Sequence, residues 1–509
     1  MLLIKALIHL ISRLVFIILF SLLIFNLSIN PQSKLKSKIS NGLTALYNFN
    51  FKTAENTFDD IIKIDPENPA GYHYKSISSL WFYLDSKSDY DLENFYAYSD
   101  TAIEKAEIFL DKDSSDVFVL YILGSVYANR TFAFTRDENY FDAIFAASKF
   151  YSFFNDLLTF DSLYYDAYMG KGLYNFAISQ APQTWSWALS LSGMTGDKQA
   201  GLDYLEIASK KGQLSKIDAK FYLSQIYSEF LLKFSEAKRI LDDLNARFPK
   251  NLLFRYALAN LYLKKYDLVN ASRIYKSVLL SPDTNFTQLK NYAGLALGDI
   301  EYSLGNYESA RDYYVDFLEF STDDHFKGIT ALKMGLSYLF QGDSISALLY
   351  FDKTAEGNND LDEDAYAKIK GEQYLKKLPV SSEQKLILIR NLIDAGKFKV
   401  AIDSLENFIE QPVSDTLRAE AMLYFSEAYY YISKFKKSLE YAVAIFNFDD
   451  CELWVKPIAC YYAARASKDL KNFVDAKLFI EYANNFKDYF YENKLKDKLN
   501  FLSFLLEEK

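Results

Sequence analysis

Two consecutive blocks in the middle of the chain, Leu252 to Asp283 and Asn291 to Thr322, are written on one template. In the first, Leu258-Ala259, Tyr262, Leu268, Ala271, Tyr275 and Val278 recur at helical spacing. In the second, Leu297-Gly298, Leu304-Gly305, Tyr307, Ala310, Tyr314 and Phe317 do the same. Small residues (Ala259 or Gly298 early, Ala271 or Ala310 late) let two antiparallel helices approach, and the aromatics fill the space beside them. A chain with this repeat folds as helix pairs that bury their apolar faces only against neighbouring pairs.

The pattern resembles the tetratricopeptide repeat. The resemblance implies an all-α fold, a right-handed superhelical solenoid of antiparallel helix pairs that presents surface for binding. Composition agrees with such a fold: 17% of residues are aromatic, with 41 Tyr and 42 Phe, enough for a continuous core, while 18 Gly and 9 Pro leave little material for β-turns.

The anchor small residues step along the chain as Ala237, Ala271, Ala310, Ala347, Ala401, Ser438 and Ala476, at intervals of 34, 39, 37, 54, 37 and 38. The long interval predicts one extra helix near Leu361 to Lys377, ended by Pro379. Upstream, Gly42, Phe49, Phe51, Ala54, Phe58 and Ile61 before Asp65-Pro66 form an early copy. Asn129 to Asn139 reads as an interruption, and Leu495 to Leu506 as a cap on the last repeat. The array is thus expected over 39–360, with an insertion at 178–200, and over 361–509 with the capping helix.

The N-terminus, 1–33, carries an address. Leu14 to Ile29 is almost wholly apolar and spans about 24 Å as a helix, short of a ~30 Å hydrocarbon core. It suits a signal peptide or a slightly short anchor. The stretch Asn26 to Pro31 lacks small residues of a cleavage site, which favours the anchor. Lys5, Arg13 and the amino terminus on one side balance Lys34, Lys36 and Lys38 on the other, so charge does not set orientation. The expectation is a membrane-anchored chain with a periplasmic body in a bacterium, or a body released to the periplasm after cleavage. Abundant Asn, Lys, Ile, Phe and Tyr fits an AT-rich genome.

The segment Tyr168 to Gly212 departs most from a plain repeat. Its residues Gly172, Ser179, Pro182, Gly193, Gly196, Asp197, Gly201 and Leu202 resemble the inclusion-body clearance family of tetratricopeptide proteins. Members of that family act as adaptors, so the resemblance implies non-catalytic recognition. Asp197 is placed to cap a helix from Lys198.

A net charge of −10 with no basic stripe argues against nucleic acid as a partner. Cys451 and Cys460 could bridge only with Cα atoms within about 7 Å, and small core residues is the plainer reading. The histidines His9, His73 and His325 stand alone, no zinc or phosphate-loop motif occurs, and no cofactor is implied. Asp360 to Asp364 lacks the spacing of a calcium loop and reads as a solvated loop.

The chain therefore reads as a protein–protein interaction scaffold without catalysis, tied to the membrane through its N-terminal segment. By analogy with the repeat template, the first helix of each pair lines the binding groove. Tyr256, Asn260, Lys264, Asp299, Tyr302, Glu427, Tyr430 and Tyr431 are the candidate contacts. The alternative is a glycan-, lipid- or small-molecule-binding solenoid, with Trp185 and Trp187 as a stacking platform.

Overall fold

A computed structural model describes residues 31–180 and 194–507. The apolar segment Leu14 to Ile29 and the tryptophans Trp185 and Trp187 lie outside the described residues. Among the described residues every regular element is helical. In order these are α1 (Pro31–Tyr47), α2 (Phe51–Ile64), α3 (Pro69–Ser86), α4 (Asp89–Leu110), α5 (Val117–Arg136), α6 (Tyr140–Phe160), α7 (Ala167–Ser179) and α8 (Lys198–Lys211). Then follow α9 (Lys216–Glu229), α10 (Phe234–Arg247), α11 (Leu252–Lys264), α12 (Leu268–Leu279), α13 (Thr287–Leu304), α14 (Tyr307–Phe320), α15 (Lys327–Phe340) and α16 (Ser344–Asp352). The last are α17 (Asp362–Lys376), α18 (Ser381–Asp394), α19 (Phe398–Ile409), α20 (Asp415–Tyr431), α21 (Phe435–Ala444), α22 (Val455–Asp469), α23 (Phe473–Asn484) and α24 (Glu492–Glu507).

The chain gathers into two compact units. One holds residues up to Leu84, Ser88–Tyr174 and Asp203–Ala219; the other holds Asp85–Lys87, Asn175–Leu202 and Lys220 onward.

The template acts through a small residue facing a large one. Ala237, Ala271, Ala310, Ala347, Ala401, Ser438 and Ala476 are all fully buried. A Cβ added to Gly298 of α13 would lie 2.6 Å from the ring of Tyr314 on α14, and one on Gly335 of α15 would lie 2.5 Å from Phe351 on α16. Tyr275, Tyr314, Phe317 and Phe351 are in turn among the most buried large side chains. Tyr314 and Phe351 therefore occupy the space that the missing side chains of Gly298 and Gly335 leave, and those helix axes close to contact.

The turn inside each pair is equally regular. Helices α13, α15 and α18 end on Gly305, Gly342 and Gly396 at φ of +84°, +86° and +71°, where glycine avoids a Cβ clash. Asn251 caps α11 by accepting from the Phe254 amide at 3.0 Å, and Asp343 caps α16 by accepting from the Ser346 amide at 3.0 Å.

Three expectations change or sharpen. The interruption expected at Asn129 to Asn139 is not one: α5 runs to Arg136, with only the last residues forming the turn. The polar run stays helical because Arg130 bonds the Ser99 hydroxyl at 2.9 Å and pairs with Asp100 on α4, while Thr131 and Thr135 bond carbonyls one turn back. Asp360 to Asp364 is not a solvated loop throughout. Asp362 opens α17, and the buried Asp364 carboxylate accepts from the Ile329 amide at 2.9 Å and the Asn358 amide at 3.0 Å, tying α17 to the start of α15. The extra helix expected near Leu361 to Lys377 is α17. Cys451 and Cys460 are both unbridged thiols; burial pushes the Cys460 thiol up to about 12.

Helix α5 is long and apolar enough to cross a membrane by length and composition, but half of that stretch is buried within the structure. Its buried face holds Phe118, Leu120, Ile122, Leu123 and Val126, as the core helix of a repeat requires.

Two predictions follow from this packing. Gly298→Ala forces a Cβ into the Tyr314 ring and should cost about 1–3 kcal/mol. Gly294→Ala, on the same helix, meets only Leu279 at 3.8 Å and should be neutral or stabilising by up to about 1 kcal/mol through helix propensity; urea unfolding of the two variants checks the sign of each. In the first unit, burial pushes the Asp218 carboxyl up to about 6, against the opposing pull of the Tyr47 hydroxyl that donates to it at 2.6 Å. A raised folded value means that this group's stabilisation is complete below about pH 4 and is lost as pH rises through about 6. Thermal melts of Asp218→Asn should therefore show a flatter pH profile than wild type across that window.

Candidate binding cavity

In the second unit, α11, α13, α15, α18, α20 and α22, the first helices of their pairs, turn one face toward a shared cavity of about 640 Å3. Helix α17, the C-terminal α24 and residues around Glu229 to Phe234 complete the wall. Eight tyrosines line it: Tyr266, Tyr302, Tyr366, Tyr374, Tyr424, Tyr431, Tyr461 and Tyr462. Helix α24 does more than cover the last repeat: its Phe501 ring lies 4.6 Å from Phe230 and 5.9 Å from Phe176, with the Lys198 ammonium 4.0 Å over it. The last helix thus packs against the first elements of the same unit and carries Lys498 into the cavity wall.

Rings set against one another hold this wall. Tyr431 stacks on Phe398 at 5.0 Å, and Tyr266 meets Tyr431 edge-on at 5.0 Å and Phe398 at 4.9 Å. Burial pushes the hydroxyls of Tyr266, Tyr302 and Tyr374 above the ordinary tyrosine range, so they stay protonated as hydrogen-bond donors.

Charges in the wall are mostly paired. Lys264 pairs with Glu229, and Lys333 donates to Asp299 at 2.7 Å. Arg390 bridges Glu427 at 2.6 Å and Asp394 at 2.6 Å. Arg465 differs: its guanidinium lies among tyrosine rings, 4.1 Å from the centroid of Tyr430, 5.3 Å from Tyr461, 5.7 Å from Tyr431 and 5.9 Å from Tyr462. Lys498 lies 5.9 Å from the Tyr461 centroid. The surrounding walls push the Lys498 ammonium below its ordinary value; Glu427 opposes that shift, and Arg465 and Lys264 add to it.

Of the residues the sequence singled out, Lys264, Asp299, Tyr302 and Tyr431 line the cavity. Tyr256, Asn260, Glu427 and Tyr430 stand behind that surface. Tyr256 packs edge-on against Tyr275 at 5.6 Å, and Asn260 accepts from the Tyr275 hydroxyl. Glu427 neutralises Arg390, and the Tyr430 hydroxyl donates to Asp469 at 2.6 Å. Trp185 and Trp187 fall outside the described residues.

Sequence reading missed Arg390, Arg465 and Lys498. The signal was available in part: Arg390 and Arg465 are lone cations in otherwise apolar or small-residue runs, LILIRNLI and CYYAARA. Lys498 gave none, because a capping helix has no repeat template to place it on. Among the described residues no group of three His, Cys, Asp or Glu is placed to hold a metal.

The Arg390 cluster generates a stability prediction. Glu427 has a side chain only 8% exposed, so Arg390→Leu leaves its charge buried and should cost about 3–5 kcal/mol. Arg390→Leu with Glu427→Leu should recover most of that loss. Asp394→Asn, at the exposed end of the cluster, should cost about 1 kcal/mol or less. Urea unfolding of the three variants measures this order.

The segment before the cavity helices has its own geometry. The buried Asp166 carboxylate accepts from the amides of Gln213, Leu214 and Ser215 at 2.7, 2.9 and 2.9 Å and from the Ser215 hydroxyl at 2.9 Å, closing the loop that opens α9. A Cβ on Gly196 would lie 2.5 Å from the Ser179 amide nitrogen, so only glycine lets this strand of backbone rest on the end of α7. Asp197 then caps α8, accepting from the Ala200 amide at 2.9 Å, as its position before Lys198 implies.

Residues 166–325, which contain these features, match the family described as Iml2/Tetratricopeptide repeat protein 39. No curated protein matches the chain. Among solved structures, the yeast Tom70 crystal structure is 12% identical, covering 94% of this chain and 96% of that one at a TM-score of 0.28. The P58(IPK) TPR domain is 12% identical over 81% and 94% at 0.22, and the APC/C hetero-tetramer Cut9-Hcn1 is 14% identical over 95% and 92% at 0.25. What the family match and the helix pairs establish together is that this chain is a tetratricopeptide-repeat protein related, through residues 166–325, to the Iml2/Tetratricopeptide repeat protein 39 family.

Proposed function

We propose that this chain is a non-catalytic scaffold that binds a segment of a partner protein in the tyrosine-lined cavity of its second unit. The observation that carries the reading is the convergence of first helices from successive pairs on one cavity, lined by ring faces, protonated hydroxyls and paired charges. Tyrosines supply large contact area with little rotameric freedom to lose, and their hydroxyls satisfy a bound backbone. Tetratricopeptide-type helical repeats generally mediate protein–protein interaction, which supports the same reading.

Site-specific photo-crosslinking tests it. A benzophenone side chain at Tyr424, inside the cavity, should capture a reproducible polypeptide from native cells. The same group at Val269, which is 81% exposed on a second helix, should not. Equal capture at both positions, or none at Tyr424, would sink the reading.

The cavity volume also supports a second reading, since about 640 Å3 falls within the range of small-molecule sites. Native mass spectrometry of the purified chain separates the two: a retained small ligand that Tyr424→Ala releases favours the second. The proposal also includes tethering through the N-terminal segment with the body on the periplasmic side, a reading supported by the apolar run Leu14 to Ile29 alone. Alkaline extraction of membranes should leave the full chain in the pellet and release a chain lacking 1–33.

A further inference from the structure

Helix α1 opens two residues after the apolar run Leu14 to Ile29 ends, so its first turn fixes which edge of the first unit lies beside that run. Helices α1 and α2, joined by a tight turn at Asn48 to Asn50, run antiparallel, and Phe58 of α2 fills the space beside Gly42 of α1. Lys36 and Ile64, each six residues further toward the same end, therefore stand level. The Lys36 ammonium lies 5.7 Å from the ring centroid of Phe118, at the start of α5, and 5.0 Å from that of Tyr164, in the turn between α6 and α7. The end of α2, the start of α5 and the α6–α7 turn thus share the edge at which the chain enters α1.

That edge carries exposed apolar side chains. Ile64 at the end of α2, Phe160 at the end of α6 and Leu163 in the α6–α7 turn are 69, 54 and 68% exposed. The turn is held in shape by the Leu163 amide, which donates to the Asp161 carboxylate at 2.9 Å, and by the Tyr168 hydroxyl, which donates to the Ser162 carbonyl at 3.0 Å. From Lys36 back to Pro31 the helix rises about 7.5 Å, and the two residues back to Ile29 add at most about 7 Å. The end of the apolar run is therefore within about 15 Å of the level of Ile64 and Tyr164. The polar layer of each bilayer leaflet extends about 5–7 Å beyond the hydrocarbon core, so a turn tip on this edge reaches it.

We propose that this edge, through Ile64, Phe160 and Leu163, sits in the headgroup layer of the bilayer that holds the N-terminal segment; the inference rests on the proposed tethering. Apolar and aromatic tips partition into that layer while their polar neighbours stay hydrated. Lys34, Lys63 and Lys112 alternate with Asp65, Asp111 and Asp161 along the edge, so the contact is apolar in character and does not need an anionic lipid. The opposite end of the same unit separates geometry from mere hydrophobicity. Phe141, in the first turn of α6, is 84% exposed, yet it lies nineteen residues along α6 from Phe160, a distance of about 28 Å. The tether places it away from the membrane although it is the more exposed ring.

Depth-dependent fluorescence quenching on the full chain tests this. Cys451→Ser leaves only the fully buried Cys460 thiol, and an NBD label is then attached at Leu163→Cys, Phe160→Cys or Phe141→Cys, with helix content verified by circular dichroism. Each labelled chain is reconstituted into phosphatidylcholine vesicles with and without a lipid that carries a doxyl quencher near the top of its acyl chain. Labels at 163 and 160 should lose about half or more of their emission to the quencher, and the label at 141 about a tenth or less. Flotation of the same vesicles separates this inference from the tethering on which it rests. A chain that floats while its labels at 163 and 160 stay unquenched overturns the bilayer contact, leaves the tether standing and assigns the edge to water or a protein partner. A floating chain quenched as strongly at 141 as at 163 overturns the orientation. A chain that does not float overturns both readings.

Discussion

The structure depends on one contact made many times: a residue with little or no side chain on the first helix of a pair receives an aromatic ring from the second. Gly298 receives Tyr314, and Gly335 receives Phe351. The contact sets the interhelical distance, and because the small residue recurs in successive pairs, it also sets how each pair leans on the next. A cavity lined by first helices is a consequence of that repetition, since the bulky residues are spent on the inter-helix seam and the remaining face of each first helix is left for lining.

Most of this was legible in the sequence because the seam is a local pattern. Ala237, Ala271, Ala310, Ala347, Ala401, Ser438 and Ala476 could be aligned by eye, and all are fully buried. The extra helix followed from one long interval. What could not be read were the contacts made by residues distant in sequence. Arg130 looked like part of a break until Ser99 and Asp100 on a neighbouring helix supplied its partners. Asp364 looked solvated until the amide of Ile329 did the same. Polar residues announce that they need partners; a sequence does not say where those partners are.

The site divides along the same line. Lys264, Asp299, Tyr302 and Tyr431, candidate contacts by analogy with the repeat template, line the cavity. Tyr256, Asn260, Glu427 and Tyr430 do not line the cavity and are engaged within the fold instead: Tyr275 meets Tyr256 and Asn260, Arg390 pairs with Glu427, and Arg465 lies over Tyr430. The charge arrangement depends on α24 returning to Phe176 and Phe230, a long-range contact that no repeat template encodes.

The central claim is that partners are held on the inner faces of the first helices of the second unit. Hydrogen exchange on the full chain, compared between the free protein and the complex isolated by crosslinking from native cells, tests it most directly. The account predicts added protection concentrated in α20, α22 and α24 around Tyr424, Arg465 and Lys498, with the exposed second-helix faces at Val269 and Ile345 unchanged. Protection confined to those outer faces, with the cavity helices exchanging as in the free chain, would contradict it.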